Sequence, residues 1–218
     1  MTPVEPRDAA SLIIVRREAS GATVLMGRRK ANASFIPDAY VFPGGAIEPG
    51  DHVAEAASSL RPETIDRMSR SSDAVHARVL AMAAIRETFE ESGLVVGAPG
   101  KIGAAAGEGW ETMRALGLAP ALDRLDYLGR AITPEKRPKR FHARFFMVDA
   151  QHVVGDLGGD GELLDLRWVS LDDTGDLRII DVTQFMLDEV HAIITAGGDA
   201  SRGRVFTYAQ SGAQIDYD

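Results

Sequence analysis

The chain alternates between short apolar runs and stretches in which apolar residues recur at helical spacing. Residues 11–16 and 22–26 are two such runs on either side of a turn at Gly21, and this arrangement predicts a β-hairpin. Further runs rich in β-branched and aromatic residues predict short strands, at residues 39–42, 94–96, 125–132, 141–148, 164–169 and 204–208.

Apolar spacing and capping residues predict helices between these strands. The clearest candidate lies between N-cap candidates at residues 71–73 and Gly93, a residue that favours a helix C-terminus. Weaker patterns predict helices at residues 54–68, with a break at Pro62, and at residues 110–116 and 181–196. On the clearest helix an apolar stripe is predicted, formed by Val75, Val79, Met82, Ile85 and Phe89.

Strands and helices follow one another without a stretch that resembles a linker. This order predicts an α/β fold in which helices flank a mixed sheet. The length of 218 residues fits one domain, residues 1–218, better than two, with a C-terminal helix at about 181–196.

Composition and charge exclude several classes of function. The formal net charge of −8 argues against a nucleic-acid groove, and the lack of cysteine rules out zinc–thiolate sites and thiol nucleophiles. No apolar run approaches the ~20 residues that span a bilayer. Residues 1–10 lack the apolar core of a signal peptide. A cytoplasmic location is therefore expected.

Three glutamates, Glu87, Glu90 and Glu91, converge at the end of the clearest helix. At ~100° per residue they share one face, away from the apolar stripe. Acids near the negative end of a helix dipole are unfavourable, and a bound divalent cation would reverse that penalty. Arg86 stands at i, i+4 from Glu90 and can hold its carboxylate. The alternative is an acidic helix end that is simply solvated.

A glycine pair, Gly44-Gly45, follows the predicted strand at 39–42, and Asp51 stands five residues beyond it. Paired glycines permit positive φ and a close approach of the backbone to a ligand. Combined with Arg86-Glu87-x-x-Glu90-Glu91-x-Gly93, this loop resembles the signature of the Nudix hydrolase superfamily. Thr88 replaces an apolar residue of the signature. Asp51 replaces a glutamate, and its role is therefore uncertain.

The spacer between the two halves of the signature, residues 52–85, is much longer than in most of the family. An insertion at about residues 52–72, predicted to be helical and to lie beside the active site, accounts for the extra length. An interrupted signature of this kind is similar to the subgroup of coenzyme A diphosphatases. Residues 24–29, 35–45, 132–134 and 140–146 resemble the same subgroup.

The resemblance implies a Nudix-type α/β/α sandwich and a metal-dependent enzyme. Such enzymes hydrolyse the diphosphate bond of a nucleoside diphosphate linked to another moiety. Mg²⁺ or Mn²⁺ would be held by Glu87, Glu90 and Glu91, and Glu87, supported by Arg86, would help to position or deprotonate the attacking water. Glu162 and Asp165, in a Gly-rich segment, are alternative general bases or else plain loop acids.

Coenzyme A or acyl-coenzyme A is the substrate that the subgroup implies. The alternatives are an ADP-ribose or NADH diphosphatase, and a Nudix-like module that binds nucleotides without catalysis. The expected partner is a small-molecule nucleotide, not nucleic acid or a membrane, and assembly as a homodimer stays open. Expected substrate contacts, with a solvated loop as the alternative for the cations, are Arg29, Gly44, Gly45, Lys139 and Arg140.

Overall fold

The computed structural model describes residues 4–19, 21–195, 204–209 and 212–217. Its strands are β1 (Arg7–Glu18), β2 (Gly21–Arg29), β3 (Tyr40–Val41), β4 (Gly44–Ala46), β5 (Gly97–Pro99), β6 (Leu118–Pro120), β7 (Asp126–Ile132), β8 (Phe141–Asp149), β9 (Leu163–Ser170), β10 (Arg204–Ala209) and β11 (Gly212–Tyr217). Its α-helices are α1 (Pro49–Val53), α2 (Pro62–Met68), α3 (Ala74–Ser92), α4 (Glu108–Ala115) and α5 (Asp181–Thr195).

A mixed sheet forms the centre of the molecule. Its strand order is β11-β10-β7-β8-β1-β2-β3, while β4 pairs with β1 and β9 pairs with β2. The pairs β1–β8 and β7–β10 are parallel, and the other pairs are antiparallel. The short strands β5 and β6 form a separate antiparallel pair. The predicted hairpin is confirmed, because Val15 pairs with Val24.

Helices cover both faces of the sheet. Alternate residues of β1 point to opposite faces, as the period of a strand requires. Leu12 and Ile14 join the core beneath α3, whereas Ile13 and Val15 pack in a second core with Phe185 and other residues of α5. The α/β/α arrangement predicted from the sequence is thereby confirmed.

Helix α3 carries the predicted acidic end and is held by the predicted caps. The Asp73 carboxylate accepts a hydrogen bond from the His76 amide at 2.8 Å, and Gly93 ends the helix with φ 74°. The predicted apolar stripe is wrong at Val75, which is 74% exposed in the first turn. From Ala77 to Thr88 most of the helix is buried, because segment 94–125 covers the side that faces away from the sheet.

Two predicted elements are wrong, and long-range pairing explains both. Residues 54–61 are not helical, because the chain there runs beside residues 102 and 119–121, with Ser58 bridged to Ala121. Residues 94–96 form no strand, since Val95 makes a single bridge to Val154 and the strand begins at Gly97. Strand β11 was not predicted. Of the predicted C-terminal helix, residue 196 lies outside the described residues.

The insertion packs against the body of the protein. Thr64 donates to the Leu125 carbonyl at 3.1 Å, and Arg61 pairs with Asp126 at 2.5 Å. Leu60 and Met68 are buried in the core beneath α3. Helix α2 therefore contacts the start of β7 instead of extending over the acidic end of α3. Among the described residues, no helix combines the length and apolar character needed to cross a membrane.

Candidate active site

The acidic end of α3 lies against the glycine loop. The Gly44 amide donates to the Glu91 carboxylate at 2.8 Å. A Cβ atom at Gly45 would lie 2.4 Å from the carboxyl carbon of Glu87, and one at Gly44, where φ is 156°, would lie 2.4 Å from the Ala10 carbonyl oxygen. Both positions therefore require glycine, because a side chain at Gly45 would push the loop away from Glu87 and one at Gly44 would clash with β1.

Arg86 joins the two halves of the signature. Its side chain is 1% exposed, and its Nε and Nη2 donate to the Asp51 carboxylate at 2.8 Å and 3.1 Å. Its Nη1 donates to Glu87 at 3.0 Å and to Glu90 at 2.8 Å, and Nη2 also donates to the Ala46 carbonyl at 3.0 Å. Asp51 is fully buried beneath this guanidinium. The structure thus places Asp51 as the ion-pair partner of Arg86, behind the acidic face.

Glu90 is held by two groups at once. Its Oε2 accepts from Arg86, and its Oε1 accepts from the Gly109 amide in the first turn of α4 at 3.1 Å. Sequence reasoning missed Gly109, because a glycine in a Gly- and Ala-rich segment carries no local signal of a contact with a distant helix. Helix α4 therefore fixes one of the three acids.

Burial dominates the electrostatics of these carboxyl groups. It raises the pKa of Glu87 to about 7 despite the opposing charge and hydrogen bond of Arg86. Burial also raises the pKa of Glu91 well above its usual value, against the opposing hydrogen bond from Gly44. The pKa of Glu90 is raised chiefly by burial as well. Ionised together, these acids lack enough compensating positive charge, which a bound cation would supply.

The donor set fits a hard divalent cation. All the donors are carboxylate oxygens, which such cations prefer to nitrogen or sulfur. Over the described part of the chain, no three His, Asp or Glu side chains already surround a common point. In this structure Glu87, Glu90 and Glu91 accept hydrogen bonds from Arg86 and two backbone amides.

Of the two loop acids, the structure brings Glu162 to the cluster and leaves Asp165 apart. The charge of Glu162 raises the pKa of both Glu87 and Glu91. Its loop is fastened to the end of α3, where the Asp160 amide donates to the Glu90 carbonyl at 2.8 Å. Asp165 instead accepts hydrogen bonds from the Tyr40 hydroxyl and from Arg167.

A cavity of about 390 Å³ opens beside Glu162. Lys139 lies in it, and its Nζ donates to Ser34 Oγ at 2.9 Å. Arg140 does not reach this surface: it is 8% exposed, and its guanidinium donates to the carbonyls of Thr133 and Val4. Arg140 is therefore not placed to contact a substrate at this surface, in contrast to the expectation from the sequence. The cavity is lined by Arg29, Lys30, Asn32, Ala33, Ser34, Lys139, Asp160 and Glu162.

We expect the metal-free protein to lose stability as the pH rises from about 4.5 to about 7. The pKa of Glu87 is about 7 in the fold against an ordinary value of 4.5. Between these values the unfolded chain releases a proton that the folded chain retains. The free energy of unfolding therefore falls as the pH rises. Glu87 should therefore make the unfolding free energy of wild type up to about 3 kcal/mol lower at pH 8 than at pH 5. The Glu87→Gln variant should lack this contribution.

Urea denaturation in EDTA at pH 5 and pH 8 measures this difference. Glu111→Gln is the matched control, because Glu111 is an exposed acid on α4. An equal pH dependence in wild type and Glu87→Gln would contradict the assignment of the buried charge.

Comparison with known proteins places this arrangement in a family. No protein-family profile matches the chain. It is 32% identical over 98 residues to the acyl-coenzyme A diphosphatase NUDT19 of Gallus gallus, covering 35% of this chain and 26% of that protein. It is 28% identical over 176 residues to the putative nudix hydrolase 7 of Caenorhabditis elegans, covering 75% of this chain and 51% of that protein. The chain thus spans about a quarter and about half of these curated relatives.

A solved structure extends the similarity over nearly the whole length of both chains. The NUDIX hydrolase from Alicyclobacillus acidocaldarius superposes with a TM-score of 0.66 at 28% identity, covering 87% of this chain and 92% of that one. The mixed sheet between helices and the glycine loop against an acidic helix end agree with this similarity. The chain belongs to the Nudix hydrolase superfamily, a superfamily of enzymes.

Proposed function

We propose that this protein hydrolyses the diphosphate bond of a nucleoside diphosphate linked to a second moiety, using Mg²⁺ or Mn²⁺. We also propose that residues 1–218 form one domain around the site. The observation that carries the proposal is the contact of Glu87 and Glu91 with the glycine loop. Both carboxyl groups are largely buried, and their negative charge is not fully compensated. A polyanionic substrate approaches such acids only together with cations.

Each side chain of the site has a definite task in this proposal. When bound, the metal ion supplies positive charge to the phosphate oxygens and makes a bound water more acidic. Glu87, Glu90 and Glu91 would hold that ion through their carboxylate oxygens. Glu87 is the first candidate to accept a proton from the attacking water.

Two further residues support the proposed chemistry. Arg86 keeps Glu87 and Glu90 in place through its anchor on Asp51. Glu162 is the second candidate base, because it lies close enough to influence both Glu87 and Glu91. Asp165 takes no part, since Tyr40 and Arg167 already bind it.

Coenzyme A or acyl-coenzyme A is the substrate that we propose. The interrupted signature, the resemblance of residues 35–45 and the similarity to the chicken protein favour it. ADP-ribose and NADH are the alternative substrates. A binding module without catalysis is the alternative function, but the retention of Glu87, Glu90 and Glu91 favours an enzyme.

A substrate panel tests the proposal. The purified protein is incubated with coenzyme A, an acyl-coenzyme A, ADP-ribose or NADH, with Mg²⁺, Mn²⁺ or excess EDTA, and both products are identified by mass. We expect coenzyme A to give adenosine 3′,5′-bisphosphate and 4′-phosphopantetheine, and EDTA to abolish turnover. Activity that survives EDTA would contradict the metal site. Binding of a nucleotide without turnover under every condition would favour the binding module.

A further inference from the structure

We propose that the cavity beside the acidic cluster is a subsite for a phosphate monoester that the substrate carries in addition to its diphosphate. Lys139 is its main determinant of specificity. This inference rests on the proposed function and deepens it, because it names the chemical group that distinguishes one class of substrates from another. Coenzyme A carries such a group on its ribose, whereas ADP-ribose and NADH do not.

Contacts of Lys139 and its neighbours join two segments at the basic wall of the cavity. Lys139 Nζ donates to Ser34 Oγ at 2.9 Å, which ties the segment before β8 to the loop between β2 and β3. The same two segments meet through Phe35 and Phe141, whose rings pack edge to face with centroids 5.1 Å apart. The Lys139 ammonium also lies 5.8 Å from the centroid of the Phe141 ring. A phosphate would therefore meet a cation that is already positioned.

The second wall belongs to the acidic cluster. Asp160 and Glu162 line it, and the Asp160 amide donates to the Glu90 carbonyl at 2.8 Å. Arg29, on the basic side, pairs in the sheet with Leu163, the neighbour of Glu162. The cavity thus adjoins the carboxylates that we propose as metal ligands. A substrate whose diphosphate lies at the acids would extend its next anionic group toward Arg29, Lys30 and Lys139.

The chemistry of the basic wall favours a doubly charged oxyanion. Three cations gather on this wall in a chain of net charge −8. The Nε of Arg29 is buried and has no hydrogen-bond partner among the described residues, although buried donors are normally paired. Guanidinium and ammonium groups bind phosphate oxygens through charge-assisted hydrogen bonds. The metal ion is expected to neutralise the diphosphate itself, so these cations are available to a separate phosphate.

The alternative is that the same cations bind the diphosphate. In that case, removal of one cation would slow substrates with and without the extra phosphate by the same factor. Coenzyme A and dephospho-coenzyme A differ by this phosphate alone, so their ratio of kcat/KM isolates its contribution.

The experiment measures this ratio in wild type, Lys139→Met and Lys136→Met. Methionine keeps most of the length of the unbranched lysine side chain and removes its charge. Lys136 is the matched control, because it is exposed in the same loop but does not line the cavity. We expect wild type to favour coenzyme A by roughly tenfold or more, Lys139→Met to lose most of that preference, and Lys136→Met to retain it.

Two results would overturn the subsite while leaving the proposed function intact. One is equal turnover of both substrates by wild type. The other is an unchanged preference in Lys139→Met. Absence of turnover with either substrate would instead count against the proposed function. In that case the affinities for adenosine 3′,5′-bisphosphate and AMP, measured by calorimetry, test the subsite. The subsite requires wild type to bind the bisphosphate more tightly than AMP, and it requires Lys139→Met to bind both equally.

Discussion

Replacement of Glu91 by glutamine is expected to reduce kcat/KM by roughly two to three orders of magnitude without unfolding the protein. The amide oxygen of glutamine can still accept the hydrogen bond from Gly44, so the glycine loop keeps its place. What is lost is a negatively charged oxygen for the metal ion. Because burial disfavours the ionised form of Glu91, the variant should also melt at a higher temperature in EDTA than wild type does.

Three measurements separate these effects. Steady-state kinetics in Mg²⁺ gives the loss of activity, and calorimetric titration with Mn²⁺ gives the affinity for the metal alone. Thermal melting in EDTA reports the stability of the metal-free fold. Glu111→Gln is expected to match wild type in all three. Full turnover by Glu91→Gln, or an unchanged affinity for Mn²⁺, would show that Glu91 does not hold the metal.

Replacement of Arg86 by methionine is expected to cost about 3–5 kcal/mol of unfolding free energy, because it leaves buried charge unpaired. Asp51 is fully buried and receives two of the hydrogen bonds that Arg86 donates. Glu87 and Glu90 would lose a shared partner as well. Activity should fall with stability, because the acidic face and the glycine loop lose the link through Arg86 and keep that between Gly44 and Glu91.

A double-mutant cycle distinguishes the two consequences of losing Arg86. Removal of the second buried charge in Arg86→Met with Asp51→Leu should recover part of the stability, since an apolar pair can replace a buried ion pair. It should not recover activity, because Glu87 and Glu90 still lack their contacts with Arg86. Arg124→Met, at an exposed arginine, is the control. A loss below about 1 kcal/mol for Arg86→Met, near the range of surface substitutions, would contradict the central role of this ion pair.

Elements marked by local signals were predictable from the sequence. The boundaries of α3 follow from Asp73 and Gly93, which act on the backbone within one turn. The strands of the hairpin follow from their apolar runs. The convergence of Glu87, Glu90 and Glu91 needs only the helical repeat, and the glycine requirement at residues 44 and 45 follows from the motif.

Features that depend on distant partners were not predictable. Residues 54–61 are rich in alanine, yet pairing with residues 119–121 keeps them extended. Val75 fits an apolar stripe in sequence but lies in the first turn, before the core begins. Arg140 lies in a run of cations typical of an exposed loop, but its guanidinium donates to two backbone carbonyls. The contact of Gly109 with Glu90 joins two elements that no motif connects.

The parallel pairing of β1 with β8 has a consequence for how the chain folds during synthesis. Strand β1 leaves the ribosome well before β8, and β2, which follows it directly in the chain, can pair with it at once. Its other edge must wait for β8, because Arg7 pairs with Phe141. Until then an apolar central strand presents an open edge, which invites association with other nascent chains. Chaperone dependence should therefore be greatest while the insertion and α3 are being translated.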